Sequence, residues 1–457
     1  MGCKRLVAAA AVTLSAVFTT TLAAHADAPA NAPMVTPPGG SQNAGGPTVW
    51  NSNQEASALS GPRAPDPEYM AKGIPMGAFR LFPNLVTSVT YDDNVFRLHN
   101  GGQSDFFFTE APTLVLDYDT NEAHIDLYGD GTLNQYAKLS SVNNNAYDLG
   151  ARGTYLISRE VEATGNVSYS QMVEPLSSPD TIGSQSGPNI YNLFDVSGQV
   201  AFKPNRLGLT VGGSYDSYDF QNTDLFGGGT LSNGDRNNAI SKGFAQVSYD
   251  FSPGYAGFVR ATFNSDDYSR AFDRSGYHRS SHGTQVDGGV NLLLGELIQG
   301  TVYLGYVDQV YSHQPPNPAI NPTGKPLQDI SGLDFGANLT WYPTELLTVQ
   351  LGASRQIVNT TLDGASGGDD RNVNLSANYE LTRRTILTGF VAYDDTNFKG
   401  STPFQENHTT SVGVGGKYLI SHYVQAQLNY VYSSRDSTLT GLSYTDNLLT
   451  FGLNLQI

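Results

Sequence analysis

The segment NVNLSANYEL, residues 372–381, alternates strictly between apolar and polar side chains. One face of this extended segment carries Val373, Leu375, Ala377, Tyr379 and Leu381. The other face carries asparagine, serine and glutamate. Because successive side chains of a strand point to opposite sides, a period of two residues predicts a β-strand with one apolar face. The same pattern recurs at 334–341, 424–432 and 449–457.

Eighteen such segments follow one another along the chain. They are centred near residues 85, 112, 128, 151, 166, 196, 212, 245, 262, 287, 304, 335, 352, 376, 391, 413, 429 and 450. Short turns such as KPNR (203–206) and YPTE (342–345) alternate with longer loops such as 173–188, 222–237 and 313–327. An even strand number with short turns at one end and long loops at the other is typical of a bacterial outer-membrane barrel.

We therefore predict an all-β fold for residues 78–457, a transmembrane antiparallel up-and-down β-barrel of about 18 strands. Its apolar faces are expected to meet lipid and its polar faces a wet lumen. The alternative is a soluble β-sandwich or propeller, in which the polar faces would be outside. A propeller would need a blade repeat, and the sequence shows none.

The N-terminal part of the sequence has a different character. Residues 1–26 have a basic start, an apolar run and the small-residue site Ala24-His25-Ala26, which predicts a secretory signal peptide. Residues 27–77 are rich in proline and glycine without apolar periodicity, so we expect a disordered, flexible periplasmic arm. The only cysteine, Cys3, lies in the predicted signal peptide, which excludes disulfides and thiolate sites from the mature chain.

Charge narrows the function further. Without Lys4 and Arg5 the chain keeps 23 basic and 42 acidic residues, a net charge of −19. This balance argues against a nucleic-acid partner, because phosphate binding needs clustered cations. No segment after residue 26 approaches the ~20 apolar residues of a spanning helix. The expected location is the bacterial outer membrane, with its lipid as a partner.

Aromatic residues end the apolar rows just before the long loops. Their position predicts an aromatic girdle at the lipid headgroup level, formed by Tyr91, Tyr169, Tyr215, Phe263, Tyr306, Tyr393 and Tyr432. The motif YDD at 91–93 returns at 393–395, and the residue after the tyrosine should face the pore. We therefore expect Asp92, Asp216 and Asp394 at the outer rim, as a solvated acidic rim or, alternatively, as a Ca²⁺ or Mg²⁺ site.

The polar faces predict the pore lining. By register, it comprises Gln199, Arg260, Gln285, Asp287, Asn291, Asn338, Asn374, Asn378, Glu380, Lys417, Gln425, Gln427 and Asn429. Amides both donate and accept hydrogen bonds, which suits neutral, hydroxyl-rich solutes, although any water-filled barrel needs a polar wall. Neither His124 nor His282 has the partners of a catalytic triad nearby in sequence, so we predict no enzyme, no cofactor and no resident metal.

The opening segment AFRLFPNLVTSVTYDDNVF, residues 78–96, follows a proline-rich arm and contains a proline inside its first strand. In these features the chain resembles the second β-barrel porin family of outer-membrane proteins. The resemblance covers residues 78–457 and implies the outer-membrane exit pore of an exopolysaccharide or capsule secretion system, with a periplasmic export protein as a partner. The alternatives are a general diffusion porin for small solutes and a structural or adhesive surface barrel.

Overall fold

The computed structural model describes residues 68–181, 185–294 and 297–457. In this part of the chain, eighteen long strands form one antiparallel sheet. They are β1 (Phe79–Asp92), β2 (Asp105–Asp119), β3 (Ala123–Tyr136), β4 (Asn144–Leu156), β5 (Val161–Val173), β6 (Ile190–Phe202), β7 (Leu207–Phe220), β8 (Asn238–Ser252), β9 (Tyr255–Tyr268), β10 (Ser281–Leu294), β11 (Ile298–Tyr311), β12 (Ile330–Thr344), β13 (Leu347–Val358), β14 (Gly368–Thr382), β15 (Thr385–Phe398), β16 (Gln405–Leu419), β17 (Val424–Ser437) and β18 (Tyr444–Gln456). Every predicted strand centre falls inside one of these strands.

The sheet closes on itself, because β18 pairs with β1 from Leu448–Asp92 to Gln456–Asn84. Closure leaves no unpaired edge in the ring, which a membrane-spanning sheet requires. Eight connections of two to four residues lie at one end of the barrel, and nine connections of six to eighteen residues lie at the other. Both ends of the barrel chain are on the short-turn side. The predicted transmembrane β-barrel is confirmed. No helix among the described residues is long and apolar enough to cross a membrane.

The two faces of the sheet carry opposite chemistry. In the segment 372–381, Val373, Leu375, Tyr379 and Leu381 are exposed on the outside of the barrel. Many other large apolar side chains are exposed on the same outer face, while the buried side chains include many aspartates, asparagines and glutamines. Exposed apolar rows around a polar interior are the inverse of a water-soluble fold. Lipid therefore covers the outside of this barrel.

Residues 68–77, the last ten of the predicted arm, lie against the short-turn end. Ile74–Met76 pairs with the start of β1, and the Gly73 amide donates to the Ile457 carbonyl over 3.1 Å. The Tyr69 hydroxyl accepts a hydrogen bond from Arg384 Nε at 2.8 Å, beside the β14–β15 turn. This segment thus joins the first and last strands to a more distant part of the rim. The signal peptide and the rest of the arm lie outside the described residues.

Candidate functional site

The lumen wall is formed by the inward face of the strands. Strand register places all thirteen predicted pore residues on this face, opposite the exposed apolar rows. In one buried group, Arg260 Nη2 on β9 lies 3.1 Å from Asp287 Oδ2 on β10. Gln285 Nε2 donates to both Asp287 oxygens, at 2.8 and 2.9 Å, and to Asp334 on β12. Contact with solute stays a prediction for these residues.

The predicted pore lining leaves out several carboxylates of the lumen wall. Register also turns inward Asp126, Asp130, Asp148, Asp195, Asp266, Asp334 and Asp370. Two further inward cations are paired with carboxylates: Arg152 Nε lies 3.1 Å from Asp126, and Lys242 Nζ lies 3.6 Å from Asp216. Extending the alternation through every strand, rather than only the cleanest ones, would have identified these residues. The described wall is therefore acidic and amide-rich.

The three predicted rim aspartates are not brought together. Each instead lies beside an acidic residue of a neighbouring strand. Arg97 bridges Asp92 and Asp446, with Nη1 and Nη2 each 3.0 Å from one carboxylate. Asp216 on β7 lies directly opposite Asp195 on β6. Thr396 Oγ1 donates to Asp394 at 3.1 Å and to Asp370 at 2.8 Å.

The seven predicted girdle residues all lie on the outer face and are exposed. The Tyr91 ring centroid is 5.0 Å from that of Phe106 on β2, and the Tyr169 centroid is 6.3 Å from that of Tyr147 on β4. Adjacent strands thus contribute additional rings beside the predicted ones. Aromatic side chains near the long-loop end suit the boundary between lipid and water. Their depth in a bilayer stays a prediction.

Five long connections pack together over the outer mouth. They are the described residues 174–181 and 185–189 of the first connection, with 221–237, 269–280, 312–329 and 359–367. Glu174 and Arg236 form a buried two-pronged ion pair, with nitrogen–oxygen distances of 2.7 and 3.0 Å. Arg274 binds Asp235 through two contacts of 2.9 and 3.0 Å, and Asn321 donates to the Tyr277 hydroxyl over 3.0 Å. These contacts give the outer loops a defined arrangement.

Asp235, in the 221–237 connection, has a lowered pKa. Burial alone would raise the pKa of Asp235, but its hydrogen bonds and ion pair with Arg274 reverse the effect and lower the pKa below its ordinary value. Asp235 therefore stays ionised when it holds Arg274. The ion pair links the 221–237 connection to the 269–280 connection.

The family comparison agrees with this architecture. The model of the family described as "Putative beta-barrel porin 2" matches residues 66–457. The chain belongs to this family. It is an outer-membrane β-barrel porin. A search of the curated proteins found no match.

Several solved outer-membrane proteins are similar to this porin. The outer membrane protein OpdK of Pseudomonas aeruginosa is 12% identical, with a TM-score of 0.39, covering 82% of the porin and 99% of OpdK. OpdL of the same organism is 10% identical, with a TM-score of 0.40, covering 84% and 99%. The siderophore receptor PirA, also from Pseudomonas aeruginosa, is 9% identical, with a TM-score of 0.41, covering 83% and 80%.

Three groups of acidic and histidine side chains in the described part of the porin have ligand atoms within 4.8 Å of one another. They are Asp117 with His124 and Asp126, Asp395 with Glu406 and His408, and Asp92 with Asp93 and Asp446. Arg97 lies between two members of the third group, and His408 Nδ1 is 3.1 Å from Asp395 in the second. His124, considered above for catalysis, lies 3.4 Å from Asp117. Arg97 therefore balances part of the acidic charge of the third group.

Proposed function

We propose that this porin passes neutral, hydroxyl-rich solutes, and that its specific role is the outer-membrane exit of a neutral exopolysaccharide. The observation that carries the proposal is the charge of the lumen wall. Amides and carboxylates dominate the inward positions, and Arg152, Lys242 and Arg260 each lie beside a carboxylate. A wall of this kind offers hydrogen bonds to hydroxyl groups and repels anions.

The same charge pattern disfavours an anionic polymer. Anion-selective pores use rings of cations, whereas carboxylates outnumber cations on this wall and lie beside Arg152, Lys242 and Arg260. The amides on the inner faces of β14 and β17, such as Asn374, Asn378, Gln425 and Gln427, present hydrogen-bonding groups without net charge. Neutral sugars can exchange hydrogen bonds along such a wall without being held tightly.

A second candidate, a general diffusion porin for small solutes, is favoured by the contacts across the outer mouth. Asp180, in the β5–β6 connection, accepts a 2.7 Å hydrogen bond from the Thr361 amide in the β13–β14 connection. These connections lie about eight strands apart in the ring of eighteen. A bridge of this kind narrows the path and would favour small solutes if it is permanent.

Planar-bilayer recordings of the refolded porin test both candidates. We expect a cation-selective conductance, read from the reversal potential in a salt gradient, and a block by long neutral glucans. An anion-selective pore would contradict the proposed role of the lumen wall. Conductance that only small sugars reduce, together with unchanged polymer secretion when the gene is deleted from its host, would favour the diffusion porin.

The proposed export role includes a periplasmic partner for the arm at residues 27–77. Deleting residues 27–67 removes most of this arm and keeps the segment that contacts the barrel rim. We expect the shortened porin to insert and conduct normally but to secrete less polymer. Unchanged secretion would remove the arm from the export pathway.

A further inference from the structure

The barrel wall splits between β12 and β13 near the outer end. Pairing between β12 and β13 stops at Gly336–Ser354, although β12 extends outward to Ile330 and β13 to Val358. Beyond this point β13 pairs only with β14. Arg355 occupies the split, donating to the Leu333 carbonyl over 2.5 Å and to Asp369 Oδ1 over 2.6 Å. The connection 359–367 is thereby free to extend over the lumen instead of continuing the wall.

Residues 174–181, here called the strap, reach the 359–367 connection from the other side of the barrel. Asp180 accepts hydrogen bonds from the Thr361 amide at 2.7 Å, from Thr361 Oγ1 at 2.7 Å and from Thr360 Oγ1 at 3.2 Å. The Ser177 carbonyl accepts a 2.5 Å hydrogen bond from Arg435 on the inner face of β17.

The strap contacts parts of the barrel that are far from its own strands in the ring. The strap begins at the end of β5, whereas its contacts belong to β17 and to the β13–β14 connection. Eighteen tilted strands about 4.8 Å apart enclose a ring roughly 35 Å across. Side chains on such distant strands can be joined only by a segment that passes over the lumen. The strap and the 359–367 connection therefore meet over the mouth.

The base of the strap has anchors of its own. The Glu174 carboxylate accepts hydrogen bonds from both terminal nitrogens of Arg236 and from the side-chain amide of Asn189. The side chains of Glu174 and Arg236 are each only 2% exposed. The 359–367 connection has its own anchors: Arg279 donates to the Leu362 carbonyl over 3.0 Å, and Asn359 donates to Asp266 over 2.9 Å. Neither set of anchors is hydrogen-bonded to the Asp180 carboxylate, although that carboxylate lies close enough to Arg236 to contribute to its raised pKa.

A packed apolar cluster further fixes the side of the 359–367 connection. It consists of Tyr277, Val307, Tyr311, Leu327, Ile330 and Ile357. Buried apolar contacts and a buried ion pair are costly to break. By contrast, the link between the two sides rests on hydrogen bonds to the Asp180 carboxylate and one to the Ser177 carbonyl. The contact at the tip is the weaker part of the structure.

We propose that the strap is a gate that closes the outer mouth and opens by parting at Asp180 and Ser177, while its base stays bound to Arg236. The proposal rests on the proposed channel function, because a gate needs a pore. In the closed state Thr360, Thr361 and Arg435 hold the tip. In the open state Asp180 is hydrated, and the 359–367 connection stays on its own anchors.

Engineered disulfides test the gate in the full-length refolded porin. The tip pair D180C/T361C places one thiol on each of the parting surfaces, where Asp180 Oδ1 lies 2.7 Å from Thr361 Oγ1. The base pair Q185C/L225C is the matched control, because these residues form an isolated β-bridge between the strap's own connection and the 221–237 connection. The only native cysteine, Cys3, lies within the predicted signal peptide, so it does not compete in the mature chain.

We expect oxidation of the tip pair to lower bilayer conductance roughly tenfold, because a disulfide holds the closed state, and a reductant to restore it. The base pair should conduct equally when oxidised and reduced. The variant D180A/R435A should spend more time open than the native chain. The gate is supported if the conductance of the oxidised and reduced forms differs for the tip pair and not for the base pair.

Three results would overturn the gate. In the first, the tip pair is fully cross-linked on a non-reducing gel but conducts equally before and after reduction. This result removes the gate and leaves the channel function intact. The tip pair fails to cross-link in folded protein although the base pair does; this removes the closed contact. No folded variant conducts, including D180A/R435A; this removes the channel function and the gate with it.

Discussion

The inside-out arrangement of the barrel predicts opposite responses to a lysine on its two faces. Val414, on β16, is 59% exposed on the outer face and lies four residues from both Thr410, the partner of the girdle tyrosine Tyr393, and Tyr418. It is therefore expected near the middle of the apolar band. Asn429 on β17 pairs with Gly415 and faces the lumen, so it is the matched control. The variants are V414K and N429K.

The magnitude follows from exposure and depth. An exposure of 59% leaves on the order of 90 Å² of mostly apolar surface on Val414, worth about 2 kcal/mol of transfer free energy. A lysine on the lipid face near the bilayer midplane costs about 2–4 kcal/mol. Because the lysine stem keeps most of that apolar contact, we expect V414K to lower the free energy of unfolding by roughly 2–4 kcal/mol. N429K should change it by less than about 1 kcal/mol, because its charge meets water.

Reversible urea unfolding in lipid vesicles, followed by intrinsic fluorescence, measures both free energies. Heat-modified migration on a gel checks that each variant reaches the barrel state before unfolding. Equal destabilisation by the two lysines, or a larger effect for N429K, would refute the assignment of the apolar rows to lipid. It would instead place Val414 in a protein interior.

Three further results are expected from the loops and the wall. R236A leaves the Glu174 carboxylate buried without its partner and should cost the loop layer about 3–5 kcal/mol, measured by hydrogen exchange, whereas R383A at an exposed turn should cost little. The pKa of Asp235 is lowered in the folded protein, so its contact with Arg274 should be fully present above the ordinary pKa of about 3.9 and be lost as pH falls through the lowered value. Hydrogen exchange of the 221–237 connection should therefore lose protection in acid. D235N should remove this acid-dependent loss. G212V should destabilise the barrel by about 1–3 kcal/mol in urea, because a Cβ there would lie 2.7 Å from Phe244 Cε1 and from the Gly198 carbonyl; a stable G212V barrel would show that this wall can relax.

The strand count could be predicted because each strand shows the alternation of apolar and polar residues within its own sequence. Side-chain alternation needs no knowledge of distant residues, so the segment 372–381 identifies itself as a strand with a lipid face and a lumen face. Turn and loop lengths then fix the order of strands, since antiparallel neighbours are joined directly. The inward positions of Asp287 and Asn378 follow from the same rule.

The rim was harder to predict, because its contacts depend on which strands are neighbours and on how far each is shifted. Asp92 and Asp446 are separated by most of the chain and meet only because β1 pairs with β18. Likewise, the sequence places Asp216 and Asp394 in equivalent positions, but the ring keeps them on different strands with different partners.

By itself, the sequence determined an eighteen-stranded barrel with apolar outer rows, a polar lumen and long loops at one end, because these properties repeat locally along the chain. Only the tertiary structure decided what those loops do. The split between β12 and β13 interrupts a pairing that the alternation alone would continue, and the contact of Asp180 with Thr361 joins residues 181 positions apart. No local period encodes them, since loop paths are set by a few specific contacts rather than by a repeated face.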